Sequence, residues 1–138
     1  MSNKPPERPD DEHAYRQLYS LLSGGQGIYY ALTGLWAIVN IGTFQKVTGS
    51  KVDIWLVKTV GVLIIVIGAV LGLAGKRGEP VPEVPLLAVG SAAGLTAIDV
   101  IYVAKKRIRP VYLLDALAEV GLIGLWGIWS GMRPRDRR

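Results

Sequence analysis

Four long apolar segments carry almost all of the hydrophobic residues of this chain, and they limit its possible folds more than any other feature. They cover about residues 21–44, 54–74, 86–103 and 111–129. Each holds 18 or more residues, and about 20 apolar residues let a helix cross the hydrocarbon core of a bilayer. In a small soluble bundle each helix is amphipathic and keeps a polar face toward water, and residues 59–74 have none. The pattern therefore predicts an all-α integral membrane protein with four transmembrane helices.

The connecting segments predict how these helices follow one another. Residues 45–53 and 104–110 are short, so consecutive helices should be antiparallel neighbours in a four-helix bundle. Residues 75–85 hold three Pro and two Gly, which predicts a firm break between the second and third helices.

Polar segments flank this transmembrane domain, which we place at residues 18–131. Residues 1–17 are rich in Pro and in charge, so we expect a disordered tail there. We expect no signal peptide, because no apolar stretch directly follows the charges and no A-x-A cleavage site appears. Residues 132–138 form a basic tail.

A shift of 60 residues aligns the two halves of the chain without a gap. It sets Gly34–Ile38 (GLWAI) on Gly94–Ile98 (GLTAI) and Lys46 on Lys106. Two repeated helical hairpins of the same orientation would explain this match, because membrane proteins are often built from internal repeats. Chance similarity between two apolar segments is the alternative.

The basic residues predict an orientation in the membrane. Four crossings place both termini and residues 75–85 on one side, which carries nine Lys and Arg residues against six in the other two loops. The positive-inside rule then predicts cytoplasmic termini in a bacterial plasma membrane, although the KKRIR run at residues 105–109 opposes it. We attribute the sequence pI of about 9.6 to loops that face anionic lipid. No basic surface interleaved with aromatic residues predicts nucleic-acid binding.

Four ionisable residues inside the apolar segments are the main functional clue, namely Lys58, Asp99, Asp115 and Glu119. Following the crossings, all four lie in the same half of the bilayer. Glu119 is the deepest, about 13 Å beyond its loop and close to the midplane. Asp115 and Glu119 are four residues apart and share one helix face. Asn40 is a neutral candidate partner in the same half of the membrane.

Charge balance inside the membrane separates the possible roles of these residues. A charge near the bilayer centre costs at least about 2.5–3.5 kcal/mol, so the four groups should face the bundle and pair. One Lys cannot neutralise three acids, so each surplus acid must be protonated, reach water, pair with a loop base or bind a cation. Desolvation favours the neutral carboxyl, which makes Glu119 the best candidate for proton exchange. The structural alternatives are snorkelling of Lys58, a Lys58–Asp99 ion pair, and hydration of Asp115 at the loop boundary.

Small residues recur at a spacing that is typical of packed membrane helices. Gly68 and Gly72 form one GxxxG pair, and Gly90 and Gly94 form another. Such pairs let helices approach closely, either within the chain or between protomers of a homo-oligomer. With no Cys and one His, His13, we expect no metal site, no cofactor and no thiol chemistry.

Aromatic residues lie mostly toward the ends of the predicted spans, where Tyr and Trp are common at membrane interfaces. We expect membrane anchoring rather than ligand stacking for Tyr29, Tyr30, Trp36, Trp55, Tyr102, Tyr112, Trp126 and Trp129.

In size, number of crossings and the polar patch near one end of the bundle, the chain resembles the small bacterial membrane proteins grouped as DoxX-like. The segments Phe44–Gly61 (FQKVTGSKVDIWLVKTVG), IDVIYV and VYLLDALAEV are also similar to bacterial hypothetical membrane proteins. The DoxX-like resemblance implies an association with quinone or redox systems, in which a chain without Cys would be an accessory subunit or a quinone-site scaffold. It assigns no catalytic residue.

These observations favour a non-enzymatic integral membrane protein whose polar cluster binds a small ligand, an ion or a proton. One alternative is a membrane enzyme or accessory redox subunit that uses Asp115 and Glu119 for acid–base chemistry on a lipid-soluble substrate. A second alternative is a small transporter, which would need to be oligomeric to enclose a path.

Overall fold

A computed structural model describes residues 8–133, and this part of the chain folds into five α-helices. They are α1 (Pro9–Val39), α2 (Ile41–Thr48), α3 (Ile54–Arg77), α4 (Glu83–Ala104) and α5 (Tyr112–Gly131). No strand occurs within residues 8–133, so the all-α prediction is confirmed.

Three of these helices, α3, α4 and α5, are each long and apolar enough to cross a membrane. The number rises to four if α1 and α2 together count as one broken span. A break at Asn40 turns α2 by 109° from α1, so the expected continuous helix over residues 21–44 ends at Val39. Asn40 stabilises the break because its Oδ1 accepts a hydrogen bond from the Thr43 N–H at 3.1 Å, which caps α2.

The first helix begins earlier than the sequence pattern predicts. Pro9 occupies its first turn and three acidic residues follow, which suits the start of a helix because Pro lacks a donor and acids favour the positive end of the helix dipole. Residues 9–17 are therefore helical rather than part of a disordered tail. Residues 1–7 of that predicted tail and residues 134–138 of the basic tail lie outside the described residues.

The closest helix packing joins α1 to α3, which run antiparallel. Gly27 lies against Gly68, and Gly34 lies against Gly61, so residue numbers fall along α3 as they rise along α1. A methyl group on Gly68 would come 2.6 Å from the carbonyl oxygen of Gly27. The other main contact joins α4 to α5, and both of these helices also contact α1.

The surface of this helix assembly is apolar, whereas part of its interior is polar. Leu63, Leu86 and Leu117 are 58%, 74% and 69% exposed, and large continuous apolar surfaces of this kind mark contact with a membrane or a partner. Gln26 and Glu119 are instead fully buried. This distribution fits helices surrounded by lipid.

The glycine pairs singled out above have different environments. Gly68 packs on α1 of the same chain, which corresponds to the first of the two alternatives given above, close packing within the chain. A methyl group on Gly72 would meet nothing within 4 Å, and the same holds for Gly90 and Gly94. Gly90 and Gly94 are also exposed, so oligomerisation through α4 stays a prediction.

The two hairpins of the predicted repeat also differ in packing. Gly34 lies against α3, whereas Gly94, its counterpart under the 60-residue shift, is exposed. Common ancestry of the two halves therefore stays a prediction from the sequence match alone.

Candidate functional site

Glu119 lies at the centre of the polar interior. It projects from α5 with 0% of its surface exposed, and its Oε2 accepts a hydrogen bond from the Tyr30 hydroxyl of α1 at 2.8 Å. Its other oxygen, Oε1, is buried without a hydrogen-bond partner. A buried carboxyl oxygen without a donor is costly if the group is charged, so Glu119 is suited to holding a proton.

A chain of hydrogen bonds leads from α5 through α1 back to Glu119. The Trp126 indole donates to Gln26 Oε1 at 2.8 Å. Gln26 Nε2 in turn donates to the Tyr30 hydroxyl at 3.1 Å and to the Ala88 carbonyl oxygen at 3.0 Å. The amide of Gln26 thus has a partner for its oxygen and two for its nitrogen, which fixes the Tyr30 hydroxyl as a donor toward Glu119.

Asp99 and Asp115 form the second part of the cluster. Asp99 is 5% exposed on α4, and its carboxyl group lies near the Asp115 carboxyl on α5. The Tyr29 hydroxyl donates to Asp115 Oδ1, whereas Asp99 Oδ2 is buried without a partner. Two carboxyl groups this close repel each other when both are ionised, so a shared proton would stabilise the pair.

No base neutralises these acids within the part of the chain that the structure describes. The salt bridge found there joins Arg16 to Glu12 at 3.3 Å, on the exposed start of α1. Lys58 is exposed on α3, so it does not join the three acids, and the alternative of a Lys58–Asp99 ion pair is wrong. The reason is the helix packing, because α3 lies along α1 and makes little contact with α4.

Asn40 is also not part of the cluster. It is exposed at the α1–α2 break, where it caps α2. Of the predicted site residues, the structure therefore brings together only Asp99, Asp115 and Glu119, which lie where α1, α4 and α5 meet.

The sequence pattern missed the tyrosines and the glutamine that complete the site. Tyr30 is 1% exposed and Trp126 is 1% exposed, so the expectation that they anchor the chain at the membrane interface is wrong. Trp129 is likewise buried, and its indole donates to the Tyr15 carbonyl oxygen at 3.1 Å. The sequence did contain a signal for these partners. Gln26 and Tyr30 are polar residues one helix turn apart inside an apolar segment, and the surplus acids need hydrogen-bond donors of this kind.

The fold and this interior cluster define the chain as an all-α protein with three or four helices that could cross a membrane and with carboxyl groups buried between them. No protein-family model, no curated protein and no solved structure matches the chain. The DoxX-like resemblance is therefore a prediction without support from these comparisons.

Proposed function

We propose that this chain is an integral membrane protein of four crossings that binds and releases protons at Asp99, Asp115 and Glu119. The observation that carries this proposal is the gathering of three carboxyl groups on membrane-compatible helices, without a base paired to them among residues 8–133. A charge inside a bilayer is expensive, and a proton is the simplest way to remove it.

The unpartnered oxygens support a proton as the ligand. Glu119 Oε1 and Asp99 Oδ2 are buried and accept no hydrogen bond, so either atom can carry a proton without losing a contact. Within residues 8–133 no three acidic, His or Cys side chains are arranged to hold a metal ion. Glu119 is enclosed by protein on every side, and a proton needs no cavity, whereas an organic substrate does.

Asp115 is the natural point of exchange with water. It lies in the first turn of α5, beside the loop that precedes Tyr112, and it is half-buried. Asp115 and Glu119 are one helix turn apart on one face, and Asp99 lies beside Asp115. Protons would therefore enter from the loop at Asp115 and reach the two buried acids from there.

Replacement of Glu119 by Gln tests this proposal, because Gln keeps the shape of the side chain and removes the titration. The protein is reconstituted in liposomes, and infrared difference spectra are recorded between acidic and alkaline buffer after exchange into deuterated water. We expect the wild type to show a pH-dependent C=O band of a protonated carboxyl group in buried, apolar surroundings, shifted by deuteration because its proton exchanges with the buffer. Glu119→Gln should lack this band. A pH-sensitive dye inside the same liposomes reports whether protons also cross the membrane.

Glu83→Gln is the matched control. Glu83 lies exposed in the first turn of α4, so this change should leave the buried-carboxyl band and the dye signal unaltered. The proposal is wrong if wild-type protein shows no buried-carboxyl band that changes with pH, or if Glu119→Gln leaves every such band in place.

A further inference from the structure

A cavity of about 420 Å³ opens at the end of the molecule where the α2–α3 and α4–α5 loops meet. Residues 48–51 form one wall and residues 106–110 form the other, with Val103 of α4 beside them. This cavity is separate from the carboxyl cluster, since none of the three acids lines it.

The cavity wall is strongly basic. Lys51, Lys106, Arg107 and Arg109 all contribute to it, and no carboxylate is among the residues that line it. Four cations around one concave surface repel one another, so an anion that enters would stabilise them.

Two of the four cations are held in place by the fold. Arg109 donates to the Lys46 carbonyl oxygen at 3.1 Å, and its side chain fills the space over Gly49, where a methyl group would lie 3.1 Å from the Arg109 Nε. Gly49 has a φ of 94°, which favours Gly for a second reason. Lys51 Nζ donates to the Thr48 carbonyl oxygen at 3.1 Å and lies 4.9 Å from the Tyr112 ring centroid.

The other two cations are exposed and free to reach an anion. Lys106 and Arg107 are solvent-exposed, and Lys106 has a φ of 56°, a left-handed backbone conformation that is uncommon outside Gly, Asn and Asp. This conformation turns the chain sharply at the end of α4 and places both side chains at the cavity.

The position of the cavity relative to the membrane points to phosphate chemistry. It lies at the ends of helices that can cross a bilayer, and the first turn of α3 beside it carries Trp55, which is 69% exposed. Exposed Trp residues mark the headgroup level, where lipid phosphates lie. Basic pockets at this level bind anionic headgroups.

We propose that this basic cavity is a binding site for a phosphate-bearing anion, supplied by an anionic lipid headgroup or by soluble phosphate. Arg109 and Lys51 form the fixed base of the site, and Lys106 and Arg107 close over the bound anion. The proposal is independent of proton binding at Glu119, because the two sites share no residue.

The lipid source is tested with the purified full chain in nanodiscs of phosphatidylcholine that contain a minor fraction of phosphatidylglycerol. Native mass spectrometry then measures which lipid stays bound after release. We expect wild-type protein to retain phosphatidylglycerol selectively. The Lys106→Gln/Arg107→Gln variant should retain it roughly 30-fold less, since each basic residue near an anionic surface contributes about 5-fold.

The matched control removes two cations from the other end of α3. Lys76 and Arg77 are exposed in its last turn, so Lys76→Gln/Arg77→Gln makes the same change in charge without touching the cavity. If this control loses the lipid as strongly as the cavity variant does, net charge explains retention and the proposal fails.

Inorganic phosphate tests the soluble source. It is titrated into detergent-solubilised protein without anionic lipid, and binding is followed by calorimetry. Binding that the cavity variant lacks supports the soluble source, and lipid retention without phosphate binding supports the headgroup. If wild-type protein neither retains phosphatidylglycerol nor binds phosphate, the site does not exist.

Discussion

At the scale of single residues, hydrogen-bond direction determines what Glu119 can do. Trp126 donates to Gln26, Gln26 donates to Tyr30, and Tyr30 donates to Glu119. Each of these side chains is 0–1% exposed, so water cannot replace a missing partner. The Tyr30 hydroxyl is the last donor of this chain and the one that contacts the carboxyl group.

Removal of the Tyr30 hydroxyl should therefore destabilise the protein. Tyr30→Phe removes the donor to Glu119 and the acceptor of Gln26 together, and we expect a loss of about 1–2 kcal/mol in the free energy of unfolding. The measurement is reversible unfolding in mixed detergent micelles. Tyr102→Phe is the control, because Tyr102 is 41% exposed and should be near neutral. Equal stability of Tyr30→Phe and wild type would mean that the hydrogen bond to Glu119 contributes little.

The sequence predicted the acids of this site but not their partners. Depth along each span was enough to single out Asp99, Asp115 and Glu119, because a charge in an apolar segment is conspicuous. Their donors depend on the rotation of α1 against α5, and no local pattern encodes this rotation. Lys58 was assigned wrongly for the same reason, since its depth matches that of the acids but its helix packs elsewhere.

At the scale of helices, the contact between α1 and α3 is the one in which two backbones approach most closely. Gly27, Gly34, Gly61, Gly68 and Gly75 all sit where a methyl group would come within 3.1 Å of the facing helix. Lipid gives no hydrophobic drive for helix association, so van der Waals contact between the two backbones must provide the stability.

Substitution of Gly68 by Ala should weaken this contact. The added methyl group would lie 2.6 Å from the Gly27 carbonyl oxygen and 2.8 Å from the Ala31 nitrogen, and backbone atoms cannot move aside without separating the helices. We expect Gly68→Ala to lose about 1–3 kcal/mol of unfolding free energy, measured in the same micelles.

Gly72→Ala is the control for this prediction, four residues away on the same helix. A methyl group there meets nothing within 4 Å, so we expect no loss and a gain of up to about 1 kcal/mol from helix propensity. If both variants lose the same stability, a general cost of changing glycines in α3 explains the effect, and close approach at Gly68 does not.

The sequence predicted glycine-mediated packing but not which glycines take part. Gly68–Gly72 and Gly90–Gly94 have the same spacing, yet Gly68 is buried and Gly90 is exposed. The difference comes from the partner helix, since α1 supplies Gly27 opposite Gly68. The sequence pattern also does not predict the break at Asn40. No Pro marks this position, and a single Asn near the end of an apolar segment does not by itself indicate that the helix ends there.

At the scale of the whole molecule, the number of crossings decides on which side each loop lies. The helices α3, α4 and α5 can each cross a membrane, and the pair α1–α2 adds a fourth crossing only if it forms one broken span. With four crossings the start of α1 lies on the side of the α3–α4 loop. With three it would lie on the side of the basic cavity, whereas the antiparallel packing of α1 on α3 places it beside the end of α3 and so favours four crossings.

Single introduced cysteines distinguish these arrangements, and the chain has no Cys of its own to interfere. His13→Cys, Ser50→Cys and Glu79→Cys each replace an exposed residue, in α1, in the α2–α3 loop and in the α3–α4 loop. Intact cells and inverted vesicles are treated with a membrane-impermeant maleimide. We expect His13→Cys and Glu79→Cys to react from the cytoplasmic side and Ser50→Cys from the other side, as four crossings and the excess of basic residues near the termini predict.

Reaction of His13→Cys on the same side as Ser50→Cys would show that α1–α2 does not cross. If Ser50→Cys alone reacts from the cytoplasmic side, the protein has four crossings in the reverse orientation. The basic cavity then lies at the inner leaflet, where anionic lipids attract basic residues most strongly.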